Sequence, residues 1–452
     1  VTSWPKDFVW GASTSAYQIE GAAGEDGRGP SIWDVRSHQP GRVDNGDTGD
    51  VACDHYHRYR EDVALMQGIG IDAYRFSVAW PRVLPQGRGA ANEPGLAFYD
   101  RLIDELLRAG IEPWLCLYHW DLPQALQERG GWTNRDSVGW FADYAGLIAR
   151  RYGDRVKRFA TFNEFSVFTL FGYVMDWGAP GQKDKAAHLQ AIHHVNLAHG
   201  AAVDILRAQV PGASIGAIHN RQPVLPENDR PEDRAAAATL DELWNNVFPD
   251  PQILGRYGPR IAEEMEPYLQ PGDLARICRP TDWFGINHYN TIYARADATS
   301  PWGFAWGEAP PDVPRTGIDW PIAPAAFRDT LIGTWQRYGL PIYVTENGFG
   351  SHEVPCCFDE VDDQHRIAYL KRYVAAMAEA MVAGADVRGY FVWSLLDNFE
   401  WGAGFANRFG IIHVDFKSLK RTPKASARWY KEHIAKAKLK PATSVPRPGR
   451  PA

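Results

Sequence analysis

Pro341-Ile342-Tyr343-Val344-Thr345-Glu346-Asn347-Gly348 reads as a strand that ends in chemistry. Four residues from Ile342 are apolar or β-branched, as expected for a strand covered on both faces. The run then turns abruptly to Glu-Asn-Gly. Seven further stretches follow a similar plan, at 8–14, 73–80, 112–120, 158–164, 214–220, 282–290 and 387–397. Helical patterns stand between them at 56–68, 99–109, 137–152, 189–209, 325–338 and 363–383. Eight strand–helix units predict a single (β/α)8 TIM barrel with long βα loops, in the α/β class. A doubly wound open sheet is the competitor, but no Gly-rich phosphate loop follows the first strand. Residues 1–440 are expected to form the barrel, and the Pro- and Arg-rich residues 441–452 a disordered or surface tail.

The polar residues fall at the C-terminal ends of these strands: His119, Asn163-Glu164, Asn287-His288-Tyr289, Glu346-Asn347 and Trp393. In a barrel those ends converge on one face, where active sites lie. Two glutamates on different strands fit glycoside hydrolysis, which needs one protonated carboxyl and one carboxylate flanking the scissile bond. Their surroundings must differ to hold different protonation states. Glu164 lies between Phe162-Asn163 and Phe165, an apolar setting that favours the neutral acid. Arg75, at mid-strand, is expected to keep Glu346 ionised, with a hydrogen bond from Tyr289. A lone strand-end Glu reads better as part of a structural ion pair. Two of them, each beside Asn, shift the reading toward catalysis.

Composition agrees. The 452-residue chain has 18 Trp, 19 Tyr and 20 Phe, many beside hydrogen-bonding residues, a mixture that suits the apolar faces and hydroxyl rims of sugars. Some of these rings also fill the core. A net charge of −7 argues against a nucleic-acid partner. No apolar run is long enough to span a membrane. The first residues do not resemble a signal peptide, and five Cys do not make a disulfide framework. The expected location is therefore cytoplasmic and the expected partner a small-molecule β-glycoside; oligomeric state is left open. No cofactor motif is found. His188, His193, His194 and His199 read as helix packing rather than metal ligands. His352 with Cys356-Cys357 is a still weaker metal candidate, and no metal site is expected.

Thr161-Phe162-Asn163-Glu164 and Tyr343-Val344-Thr345-Glu346-Asn347-Gly348 resemble the acid/base and nucleophile motifs of glycoside hydrolase family 1. Similar matches occur at Phe8-Val9-Trp10-Gly11-Ala12-Ser13-Thr14-Ser15-Ala16-Tyr17-Gln18-Ile19-Glu20-Gly21, at 74–82, at His119-Trp120-Asp121-Leu122-Pro123, and at Trp393-Ser394-Leu395-Leu396-Asp397-Asn398-Phe399-Glu400-Trp401. The resemblance spans residues 4 to 435. It implies a retaining β-glycosidase with Glu346 as nucleophile and Glu164 as acid/base. Gln18, His119, Asn163, Glu400 and Trp401 would bind sugar hydroxyls, Trp393 would stack beneath the ring, and Phe409 would lie near the exocyclic carbon. Asn287 and Tyr289 resemble the family's sixth-strand pair. Glu400 would repel a sugar phosphate, so an unphosphorylated glycone is expected: glucose first, with fucose or galactose as alternatives. Phe168, Trp177 and Trp320 are expected on the aglycone side, favouring an aryl or hydrophobic leaving group. Phe165, where the family usually has Pro, is expected to alter backbone rigidity there and reshape that side. A transglycosylating enzyme and a non-catalytic sugar-binding relative are the competing functions.

Overall fold

The computed structural model describes residues 4–352, 358 and 360–439. Cys356-Cys357 and the tail 441–452 lie outside the described residues. Eight parallel strands close into a barrel in chain order: β1 Val9–Ser13, β2 Ala73–Ser77, β3 Glu112–Tyr118, β4 Arg158–Asn163, β5 Ser214–Asn220, β6 Trp283–Asn287, β7 Ile342–Asn347 and β8 Val387–Trp393. A long helix follows each strand: α1 His55–Ile69, α2 Glu93–Arg108, α3 Ser137–Tyr152, α4 Lys185–Gln209, α5 Pro231–Asp241, α6 Pro324–Tyr338, α7 Gln364–Val382 and α8 Ala425–Leu439. The expected barrel is therefore the observed one. Two helices start earlier than their apolar periodicity suggests. In α2, Pro94 sits in the first turn, where its missing N–H costs nothing. In α4 the Asp184 side chain accepts from the Ala186 and Ala187 amides, a polar cap preceding the apolar stripe.

Strand alternation divides the core in two. Outward residues pack against the helices. Inward residues Trp114, Trp283, Tyr343 and Phe391 fill the barrel interior, with Trp114 4.8 Å from Tyr343 and 5.0 Å from Phe391. Glycines make room for these rings: a Cβ on Gly11 would stand 2.3 Å from Phe391, and one on Gly216 2.2 Å from Trp283. This aromatic floor lies two residues below Arg75 on β2, since Ala73 belongs to it.

Simple alternation does not deliver every polar group inward. On β4, Ala160 faces in, whereas Thr161 bonds His199 of α4 and Phe162 packs 4.4 Å from Phe141 of α3. Two successive outward residues mark a register break between Ala160 and Asn163 against β5. It returns Asn163 to the interior. On β7, Val344 packs outward, and a similar break before Glu346 turns that carboxyl inward. Such irregularities at a barrel rim re-aim side chains.

Candidate active site

A cavity of about 450 Å³ opens at the C-terminal rim of the barrel, within the range of ligand sites. Its lining includes His119, Glu164, Phe168, Trp177, Tyr289, Trp320, Glu346, Trp393, Glu400, Trp401 and Phe409. Eleven strand-end and loop residues singled out in the sequence thus meet in one space. Arg75, Asn163 and Asn287 stand behind its wall as a buried hydrogen-bond network.

Arg75 fixes that network because a guanidinium only donates. Its Nη1 donates to Glu346 Oε1 at 2.6 Å, and its Nη2 to Asn163 Oδ1. Asn163 must therefore present Nδ2 to His119 Nε2, at 3.1 Å. Burial, aided by Arg75, pushes the His119 pKa well below its usual value, so the ring is neutral. With Nε2 accepting, the ring proton lies on Nδ1, which is buried with no protein partner. Asn287 Nδ2 donates to Asn163 Oδ1 at 3.0 Å, and Asn287 Oδ1 accepts from Thr345 Oγ1 at 2.7 Å. The Asn287 amide also acts on Glu164 and Glu346, favouring the ionised form of each.

The two glutamates occupy unlike environments. Glu164 follows β4 with φ 51°, and its N–H donates to the Ile218 carbonyl at 2.9 Å. Burial first, then the charge of Glu346, pushes its pKa up to about 8, against the weaker pull of Asn287 and Arg75. Glu346 accepts from Arg75 and, through Oε2, from the Tyr289 hydroxyl at 2.5 Å. These contacts lower its pKa as expected. Burial is nevertheless the largest effect and leaves the carboxyl above the usual range, a cost that the sequence reading omitted. Within the pair, the negative charge belongs on Glu346, because two strong donors point at it and none of that strength points at Glu164.

Glu400 adds a third carboxyl. Its pKa is raised well above normal by burial and by Glu346, with an opposing hydrogen bond from Trp393. Its Oε1 is buried without a protein partner. Trp393 stacks on His119 at 6.0 Å, and Trp401 packs 4.5 Å from Trp120. Tyr289, Trp393 and Phe409 form a small apolar cluster with Trp320 beside it.

Gln18 is fixed in place: its Nε2 donates to Asn398 Oδ1 and to the Phe399 carbonyl, and its Oε1 accepts from Ser15 Oγ at 2.6 Å. Both amide hydrogens are spent on holding the loop that carries Glu400. Phe165 opens the short helix that follows Glu164. Its ring is wholly buried, stacked on His219 at 5.0 Å and packed against Phe248, away from the cavity. Phe168 lines the cavity but also packs 5.1 Å from Tyr118. The helical histidines are tied into the structure: His193 lies between Tyr257 and Asp273, and His194 bonds the Trp132 carbonyl.

The sequence reading missed several lining residues, among them Phe171, Trp244 and Trp306. Phe171 had a signal, its seven-residue spacing from Glu164 along a helix. Trp306 lies on Phe304–Trp306, a short strand in a loop sheet that no periodicity announces.

The closed barrel, with paired carboxyls beneath a wall of tryptophans, defines a sugar-cleaving enzyme of the TIM-barrel class. The family model "Glycosyl hydrolase family 1" matches residues 1–439, and the chain belongs to that family. Beta-glucosidase A of Thermotoga maritima is 41% identical over 435 residues, covering 95% of this chain and 97% of that protein. Beta-glucosidase A of Acetivibrio thermocellus is 42% identical over 442 residues, covering 96% and 98%. A solved family 1 β-glucosidase from T. maritima superposes with a TM-score of 0.92 at 40% identity, covering 97% of this chain and 99% of that one.

Proposed function

We propose that this chain is a retaining β-glycosidase, principally a β-glucosidase, that hydrolyses terminal unphosphorylated β-D-glycosides by double displacement. The observation that carries the reading is the carboxyl pair: Glu164 and Glu346 line the same cavity, yet only Glu346 is met by Arg75 and Tyr289. Double displacement needs the two carboxyls about 5–5.5 Å apart, closer than the gap that inversion requires.

In the first step Glu346 Oε attacks the anomeric carbon as Glu164 gives its proton to the leaving oxygen. The C1–O bond breaks and a glycosyl ester forms on Glu346. In the second step Glu164, now a carboxylate, takes a proton from water, whose oxygen attacks C1. The sugar leaves with its β configuration, and both carboxyls return to their starting states. His119 Nδ1–H and Glu400 Oε1 read hydroxyls, joined by Asn163, Asn287 and Trp401, while Trp393 covers the apolar face and Phe409 the exocyclic side. Gln18 joins them, and its amide also holds the loop that carries Glu400. Among the described residues the cavity lining offers no lysine or arginine to pair with a sugar phosphate.

Glucose is favoured by the names of the relatives and by a T. maritima β-glucosidase structure in complex with deoxynojirimycin. A galactoside reading has one observation of its own, a complex of that enzyme with galacto-hydroximolactam. Kinetics on nitrophenyl β-glucoside, β-galactoside and β-fucoside test the assignment: the glucoside should have the highest kcat/KM, and turnover of none would end the glycosidase reading. Cys53 and Cys116 are buried free thiols and Cys278 a half-buried one, which suits a cytoplasmic location. No helix among the described residues is long and apolar enough to cross a membrane.

The pH profile follows from the pair. Glu164 must hold its proton to act as acid, so kcat/KM should fall as pH rises through about 8. Tyr289→Phe removes a donor that lowers the pKa of Glu346. The acid limb, set by protonation of Glu346, should then move to higher pH. A hydrogen bond to a charged group contributes about 1.5–3 kcal/mol, so kcat should drop by about 10- to 100-fold. A limb that stays in place would sever Tyr289 from Glu346.

A further inference from the structure

Tyr289 is tied through its backbone to a run of buried polar side chains drawn from three elements: Asn347 on β7, Tyr369 on α7 and Tyr390 on β8. The run has one possible direction. The His288 carbonyl can only accept, so the Asn347 amide turns Nδ2 toward it, at 2.7 Å. Asn347 Oδ1 is then left to accept from the Tyr390 hydroxyl at 2.8 Å. Nδ2 also donates to the Tyr369 hydroxyl at 3.1 Å. The Tyr369 proton is thereby directed to a single acceptor, the Tyr289 carbonyl at 3.0 Å.

That carbonyl needs a hold of this kind. Tyr289 stands two residues beyond the end of β6, outside the strand ladder of the barrel. Tyr373 stacks on Tyr369 at 4.0 Å and fixes its ring, but its own hydroxyl is 3.5 Å from the carbonyl, too far for a strong bond. A tyrosine has only two side-chain torsions, so the place of its peptide largely decides the place of its hydroxyl. The Tyr289 hydroxyl donates to Glu346 Oε2 at 2.5 Å. The other charged or titratable groups around this carboxyl are Arg75 from β2, Glu164 from the end of β4 and Glu400 from the loop after β8, with His119 neutral behind Asn163. Of these only Arg75 favours a charge on Glu346. A displaced Tyr289 therefore leaves one guanidinium, with the Asn287 amide, against burial and two neighbouring carboxyls.

We propose that Tyr369 is a positioning residue for the reaction: by holding the Tyr289 carbonyl it sets the hydroxyl that stabilises the attacking carboxylate of Glu346. The proposal rests on Glu346 as the nucleophile. The test is the pH dependence of kcat and kcat/KM on 4-nitrophenyl β-D-glucoside for the wild type, Tyr369→Phe, Tyr289→Phe and the double variant. Tyr369→Phe keeps the ring and removes only the hydroxyl. Its acid limb should move up by about half a pH unit, a threefold change in the protonation constant of Glu346. Its kcat should fall by about three- to tenfold with KM nearly unchanged. In the Tyr289→Phe background the same substitution should change neither limb nor kcat, because the link it acts through is gone. Tyr152→Phe is the matched control, since it removes a buried hydroxyl that donates to the Leu96 carbonyl at 2.9 Å between α3 and α2; its limb should stay in place. Tyr390→Phe, one link behind, should move the limb in the same direction and decides the matter if Tyr369→Phe fails to fold. A limb that moves in Tyr289→Phe but not in the ladder variants would overturn the positioning role alone. So would equal movement in Tyr152→Phe, or losses that simply add in the double variant. Full activity of Glu346→Gly would instead overturn the nucleophile and the proposal with it.

Discussion

Glu346→Gly will lose turnover of an aryl β-glucoside by four orders of magnitude or more, on the order of 5–6 kcal/mol of transition-state stabilisation. Nothing nearby can replace it. The other carboxyls of the cavity, Glu164 and Glu400, have raised pKa values from burial and lack the Arg75 and Tyr289 donors that stabilise a charge on Glu346. The substitution also removes the side chain's volume, leaving room beneath the anomeric carbon for a small anion. Azide or formate should then restore turnover of a substrate with a good leaving group. Attack from the side that Glu346 occupied gives the α-glycosyl azide. Full activity in the variant without added anion would end the assignment.

Glu164→Ala should show a loss that depends on the leaving group. The glucose released from cellobiose departs as a poor alkoxide and needs the proton, so kcat/KM on cellobiose should fall by about 10²- to 10⁴-fold. From a 2,4-dinitrophenyl glucoside the dinitrophenolate departs unaided, so the first step on that substrate should be nearly unaffected. Its second step lacks the base, so the glycosyl-enzyme should accumulate after a burst of dinitrophenol. Azide should now enter from the side that Glu164 occupied and give the β-glycosyl azide, opposite to the product of the Glu346 variant. The fall in kcat/KM above about pH 8 should vanish as well, since the group that titrates there is gone. Equal losses on both substrates would remove Glu164 from the acid role.

The legibility of this chain followed the reach of each physical rule. Alternating apolar strands and helices announced the barrel, because covering a parallel sheet on both faces leaves near-continuous apolar runs. Glu164 and Glu346 were legible because each interrupts such a run at its C-terminal end. Their orientation was not. Strict alternation puts Glu346 on the outward side with Val344, and only the register break in β7 reverses it. Gln18 resembled a sugar-binding amide, but the partners that fix its orientation, Asn398 and Phe399, lie 380 and 381 residues away in sequence. The balance at Glu346 was half legible: Arg75 and Tyr289 were found, whereas the larger effect of burial depends on the whole surrounding fold. Trp306 was missed because loop strands paired only with other loops carry no core periodicity.

The central claim is that one carboxyl attacks carbon while the other handles protons, so that configuration at C1 is kept through two inversions. Proton NMR of the anomeric signals during the first minutes of aryl β-glucoside hydrolysis tests it directly. Double displacement on Glu346 predicts that β-glucose appears first and the α-anomer only later, by mutarotation. An initial burst of α-glucose would show single displacement by water and contradict the account.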